Sequence, residues 1–293
     1  YSAFANDKGF RYALENQGFD VARVLMDQQV PEDINIIVIS DMREWFTPEQ
    51  EANLQQYIDR GGNLFILGEP KRRDVMNKLF AKFGYEMTTG VLVKSDTNLQ
   101  ADVILSYPTK EADSIAYDFG TMRRRRMVIT TPSTAGLEQI ADKGYTVTNM
   151  FTTDTVGVWN ELETTDFIDD TVRLNPVIGE VEKIYNTVVA LSRKVGDKEQ
   201  KIVLTGDADC ISNGEFGRRV PTARASNFSL ITGSFFWMSN NEVPIDVRRP
   251  ALPDDKVYVE KTGSKVIKWS FMIILPLLLA GTGIFLWIRR KGR

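Results

Sequence analysis

Residues 269–288 read WSFMIILPLLLAGTGIFLWI, twenty consecutive positions without a charged side chain. As a helix rising ~1.5 Å per residue they reach about 30 Å, the hydrocarbon thickness of a bilayer. Trp269 and Trp287 stand near the two ends, where indole rings favour the headgroup level, and Lys265, Lys268, Arg289 and Arg290 frame the run. Core helices of soluble domains are usually shorter and lack this framing, so the segment predicts a transmembrane helix. Pro276, Gly281 and Gly283 are tolerated in such helices. The cations Arg289, Arg290, Lys291 and Arg293 crowd the last few positions, whereas those before the helix are mixed with Asp254, Asp255 and Glu260. That asymmetry favours a cytoplasmic C-terminus, with residues 1 to about 264 on the periplasmic side of an inner membrane. The chain opens at Tyr1 rather than Met, which predicts a processed or trimmed segment upstream carrying a signal or another span.

The rest of the composition works mainly by exclusion. The 293 residues contain no histidine, which removes Ser-His-Asp and Cys-His triads, histidine proton shuttles and the usual zinc sites. Cys210 is the single cysteine, so no intrachain disulfide can form. With 36 basic against 39 acidic side chains the net charge is -3, far from the positive footprint of a nucleic-acid binder. At 43% hydrophobic and 26% charged residues the chain can bury a sizeable core.

Ahead of the apolar tail, short apolar runs alternate with helical patterns. Residues 5–16 have helical spacing and residues 19–25 read as a strand. NIIVIS at 35–40 and NLFIL at 63–67 are nearly continuous apolar runs, as expected of strands buried on both faces of a parallel sheet. Thr47-Pro48-Glu49-Gln50 supplies a threonine cap, a first-turn proline and a capping-box glutamine for a helix ending at Gly61-Gly62. A second helix is expected at 72–83, strands within 91–107 and at 127–130 and 145–150, a helix over 179–193, a strand at 200–205 and a helix over 227–240. This order predicts a doubly wound, flavodoxin-like α/β fold with a mostly parallel sheet. It comprises one domain over 1–240 with an irregular inserted subdomain at about 88–175. A linker at 241–264 and a membrane helix with its basic tail at 265–293 follow.

Open α/β sheets bind ligands beyond the carboxyl ends of their strands. Asp41, Glu69, Asp207 and Asp209 all fall at such ends, so they are the candidate ligand-binding residues. Sharing one rim, they could hold a hard divalent cation, or serve only as caps of helices and turns. Arg123, Arg124, Arg125 and Arg126 form the one dense basic run, a candidate site for an acidic partner or anion and equally a solvated, ion-paired element end. Phe235-Phe236-Trp237 could be an interaction patch or pack against the sheet. No Gly-x-Ser-x-Gly elbow, P-loop or dinucleotide fingerprint is present, and Cys210 has no histidine to activate it. No catalytic set, resident metal or cofactor is therefore assigned. The enzymatic alternative is a membrane-tethered, metal-assisted hydrolase working through the four strand-end carboxylates.

Four features taken together resemble the Gldg family, the gliding-motility-associated auxiliary proteins of ABC transporters. They are Phe46-Thr47-Pro48-Glu49-Gln50 leading into Tyr57-Ile58-Asp59-Arg60-Gly61-Gly62 and NLFIL; Gly206-Asp207-Ala208-Asp209 with Ser212-Asn213; Asn227 and the helix to Trp237-Met238; and a C-terminal span ending in Trp287-Ile288-Arg289-Arg290. The helix-Gly-Gly-strand unit also looks like the class I glutamine-amidotransferase-like fold, here without that fold's cysteine and histidine. The resemblance implies a non-catalytic extracytoplasmic component that associates with an ABC permease, a separate ATPase and the lipid bilayer. No nucleic acid is implied, and self-association stays open.

Overall fold

The chain's computed structural model describes residues 5, 7, 9, 10, 13–95, 98–168, 171–244 and 261–292. The apolar run at 36–40 becomes strand β1 (Ile36–Ser40), and the threonine-proline start becomes helix α1 (Pro48–Asp59). Both halves of the capping box form: Gln50 N donates to Thr47 Oγ1 at 3.3 Å and Thr47 N to Gln50 Oε1 at 3.0 Å. The chain turns at Gly61, in the left-handed region at φ 85°, and re-enters as β2 (Asn63–Leu67). A 3-10 turn at Pro70–Arg72 leads into α2 (Arg73–Ala81). Strands β3 (Tyr85–Met87), β4 (Val91–Lys94) and β5 (Val103–Pro108) precede α3 (Tyr117–Arg124). Then come β6 (Met127–Pro132), β7 (Leu137–Gln139), β8 (Thr146–Thr152), β9 (Val158–Glu161), β10 (Asn186–Val195) and β11 (Lys198–Thr205). The short α4 (Asn213–Phe216), β12 (Arg224–Ala225) and α5 (Asn227–Met238) complete this part.

The main sheet runs β1-β2-β11-β10-β8-β5-β6-β12, with β7 pairing β10 and β3 pairing β7. Parallel pairing occurs at β1-β2, β2-β11 and β6-β12, and the other pairs of this sheet are antiparallel, so the sheet is mixed. The switch has a local cause: β10 and β11 are joined by the tight turn Gly196-Asp197, with Gly196 at φ 60°, and a two-residue hairpin forces its strands antiparallel. Strands β5 to β8, drawn from the stretch expected to be an insertion, belong to this sheet; β4 and β9 pair with each other outside it.

Alternation along the central strands divides the core into two layers. Phe65, Leu67, Val188, Ala190 and Val203 face one cluster with Phe119 and Met122 of α3 and Leu230 and Phe235 of α5. Leu64, Ile66, Val189, Leu191, Ile202 and Leu204 face the other with Leu54 and Tyr57 of α1 and Met76 and Phe80 of α2. Helices therefore cover both faces, the doubly wound arrangement expected from the alternation of elements. Phe235 meets Phe65 and Phe19 edge-on, and both Phe235 and Trp237 are buried, so these two pack inward while Phe236 between them is half-buried.

Two expected elements differ. Residues 179–193 do not form a helix: Asn186–Val195 is a strand, preceded by a left-handed turn at Gly179. The apolar positions there suit a helical stripe and a two-face buried strand equally, and pairing with β11 and β8 selects the strand. Residues 19–25 lie outside every strand, although Phe19 packs on the core. Of the helix expected at 5–16, positions 6, 8, 11 and 12 fall outside the described residues; the described ones from 7 onward are turns and bends that end in a 3-10 turn at Glu15–Gln17, not a continuous helix. The expected linker lies largely outside the described residues as well.

The chain divides into two units, Tyr1–Asp246 and Val247–Arg293. The second holds α6 (Lys261–Trp269), a widened π turn at Ser270–Ile274 and α7 (Leu275–Lys291). The continuous helix Thr262–Lys291 is the one helix among the described residues long and apolar enough to cross a membrane.

Candidate functional site

The four strand-end acids follow the carboxyl ends of the parallel neighbours β1, β2 and β11, and so stand at one end of the sheet. Asp41 follows β1 with a left-handed backbone, φ 43°, and its Oδ1 accepts from Arg72 Nε at 3.0 Å. Glu69 caps the 3-10 turn after β2, its Oε1 accepting from Lys71 N at 3.0 Å. Burial pushes the Glu69 carboxyl above its ordinary range, and the neighbouring charges of Asp41 and Asp209 add to the rise. Asp207, just past β11, is 2% exposed. Its Oδ1 accepts from Asp209 N at 2.7 Å, while its Oδ2 is buried with no hydrogen-bond partner. Burial, reinforced by Asp209, Glu69 and Glu215, drives this carboxyl well above the usual carboxylate range, which favours the neutral acid.

Close backbone approach builds this rim. Gly206 N donates to Thr187 O and Gly206 O accepts from Ala135 N, and a side chain at 206 would begin 1.9 Å from Ala135 O. Beneath the rim, Asn227 at the start of α5 donates to Thr130 O and Cys210 O, each at 2.7 Å, and accepts from Thr130 N at 2.9 Å. Thr130 Oγ1 donates to Glu215 Oε2 at 2.5 Å, and Glu215 is clamped by Arg218 Nε at 2.6 and 2.8 Å. Cys210 lies fully buried against this network, and burial raises its thiol far above the range of a reactive thiolate.

Asp41 is engaged by arginine, and Glu69 and Asp207 by backbone N–H groups. Among the described residues the one trio of acids whose oxygens lie within 4.8 Å of one another is elsewhere: Glu161, Glu163 and Glu180. Sequence reasoning did not find that trio, whose members lie on β9 and in the following loop. Glu161 Oε1 accepts from Glu163 N and Thr164 N, its Oε2 from Trp159 Nε1, and the Glu180 oxygens from Leu162 N and Asn175 N. These bonds staple the 161–180 loop.

The arginine run is split by its surroundings. It closes α3, where cations complement the helix C-terminus. Arg123 pairs with Asp113, and Arg124 lies 5.4 Å over the Tyr117 ring and donates to Thr121 Oγ1. Arg125 and Arg126 are exposed, with Arg126 in the left-handed turn that leads into β6. A second basic group lies beside the acidic rim. Arg43, Lys71, Arg72 and Arg73 line one 340 Å³ cleft with Asp74, and the only signal was their position in the same strand-end segments as Asp41 and Glu69.

A family model described as ABC-type uncharacterized transport system matches residues 2–234. The solved mmIFT52 N-terminal domain is 14% identical, at a TM-score of 0.48 over 71% of this chain and 78% of that one. A search of the curated proteins finds no match.

Proposed function

The chain belongs to the family of the ABC-type uncharacterized transport system, and from that premise we propose that it is a non-catalytic, membrane-anchored auxiliary subunit of such a system. The family match, spanning nearly the whole first unit, carries the reading. The helix Thr262–Lys291 supports anchoring, because a fully solvent-facing apolar helix of that length is costly in water. The rim supports a binding rather than a catalytic role: it has acids already engaged by protein donors, a buried inert thiol and no histidine. On this reading the first unit is periplasmic, and the chain works beside a permease and a separate ATPase. The Gldg-like kinship, with its link to gliding or envelope function, extends the same proposal.

The deciding experiment is affinity purification of the full chain from membranes in mild detergent. Co-purification of an ATPase and a permease in defined ratio is expected. Their absence, from membranes in which the chain itself is intact and folded, would overturn the subunit assignment. A reporter fused after Arg293 tests orientation separately and should be active only in the cytoplasm.

A further inference from the structure

The cleft beside the acidic rim has the opposite charge. It opens past the carboxyl ends of β1 and β2, where α/β sheets present ligands, and Arg43, Lys71, Arg72 and Arg73 line it against the single carboxylate of Asp74. Arg72 is held in place by Asp41, which takes only its Nε–H, so the terminal guanidinium nitrogens remain available. The side chains of Arg43, Lys71 and Arg73 make no hydrogen bond or ion pair with other described residues. Asp41 on Arg72, Asp74 in the lining and Glu69 near Lys71 offset part of this charge, and the cations that line the cleft still outnumber the one acid that does. Arginine forks match phosphate oxygens bidentately and lysine adds a point charge. The volume of 340 Å³ is that of a small-molecule site.

We propose that this cleft binds a phosphate-bearing small anion. The phosphate can belong to a soluble compound or to a lipid headgroup; the cation set recognises the shared group. The site goes beyond the subunit assignment and does not depend on it, because the ligand is read from the first unit's own residues.

The test uses the full chain in a neutral detergent at low ionic strength, titrated calorimetrically with inorganic pyrophosphate and, separately, with the short-chain lipid dihexanoyl phosphatidic acid. Saturable one-site binding of at least one probe is expected. Joint Arg43→Ala and Arg73→Ala substitution should weaken it about tenfold or more. Joint Lys194→Ala and Lys198→Ala substitution, which removes the same charge from an exposed hairpin elsewhere, should leave it unchanged. Should the first pair disturb folding, Arg43→Glu alone, at an exposed position, must still weaken binding. Binding of pyrophosphate assigns a soluble phosphate, and binding of the lipid probe alone assigns a headgroup. Failure of both probes to saturate, or equal weakening by both double variants, would overturn the proposal.

Discussion

Asn227 and Thr130 are 97 residues apart in sequence and joined through both faces of one amide: Asn227 Nδ2 donates to Thr130 O and its Oδ1 accepts from Thr130 N. Both residues are buried, so these bonds have no water to replace them. The pair fixes the start of α5 to the end of β6, and the additional bond to Cys210 O ties in the segment that follows Asp207. Asn227→Ala leaves a buried N–H and two carbonyls without partners, and about 3 kcal/mol of stability should be lost. Denaturant unfolding of the full chain in detergent measures it. A loss below about 1 kcal/mol would mean the network is dispensable.

Asp207 makes the first unit sensitive to alkali. Its folded-state carboxyl titrates well above its unfolded value, so between those two values the native chain binds the extra proton. Stability contributed by the neutral acid is therefore present at low pH and declines as pH rises from about 4, the unfolded value, through the folded one. Glu69 shifts in the same direction and adds to the slope. Asp207→Asn keeps an acceptor for Asp209 N and removes the titration. The variant should melt higher than the parent at pH about 8, with the gap closing towards pH about 4. Parallel melting profiles across that range would show that the orphaned oxygen finds compensation.

Where local chemistry sufficed, the fold was legible in the sequence. Thr47 and Gln50 name a capping box that forms as written, and the apolar run at 63–67 is buried on both faces because helices cover both sides of the sheet, whereas the run at 36–40, expected to be the same, takes the sheet edge and leaves Ile36 and Val38 half-buried. The strand at 186–195 was hidden, since Val181, Ile184, Val188 and Leu191 satisfy a helical spacing until a partner strand exists to claim them. The rim shows the same limit. Strand ends pointed to Asp41, Glu69, Asp207 and Asp209, which share one end of the sheet, yet which are already occupied depends on Arg72 and on backbone N–H groups placed by turns. The contact of Asn227 with Thr130 had no sequence signal at all, because nothing local links them.

Gly206 is demanded by proximity rather than by its dihedral angles. A Cβ there would stand 1.9 Å from Ala135 O and 2.9 Å from Thr134 Oγ1, and the first is backbone that cannot swing aside. Gly206→Ala must push the 134–136 crossing off the sheet end, which breaks the bond from Ala135 N to Gly206 O. Destabilisation of about 3 kcal/mol or more is expected, visible as loss of soluble, protease-resistant first unit in cells. Gly196→Ala is the comparison: at φ 60° it is strained, but nothing lies within 4 Å, so about 1 kcal/mol should be lost.

The apolar helix should hold the chain in membranes through an alkaline carbonate wash. Leu278 and Leu279 lie near its middle, where each arginine costs roughly 3 kcal/mol to insert. Joint Leu278→Arg and Leu279→Arg substitution should shift the chain from pellet to supernatant. Recovery of the unaltered chain in the supernatant would remove the anchoring half of the proposed function while leaving the family membership intact.

Within that helix, the widened turn Ser270–Ile274 ends two residues before Pro276. Proline has no N–H for the carbonyl of Met272 one turn earlier, and its ring would collide with that carbonyl in a regular α-helix. Opening the preceding turn to π spacing relieves the collision, a local adjustment that apolar membrane helices tolerate. Pro276→Ala restores the missing donor and removes the clash, so the turn should revert to α spacing. Amide exchange over residues 270–276 in detergent should then slow, with membrane retention unchanged. Unaltered exchange would locate the cause of the widened turn in something other than the proline.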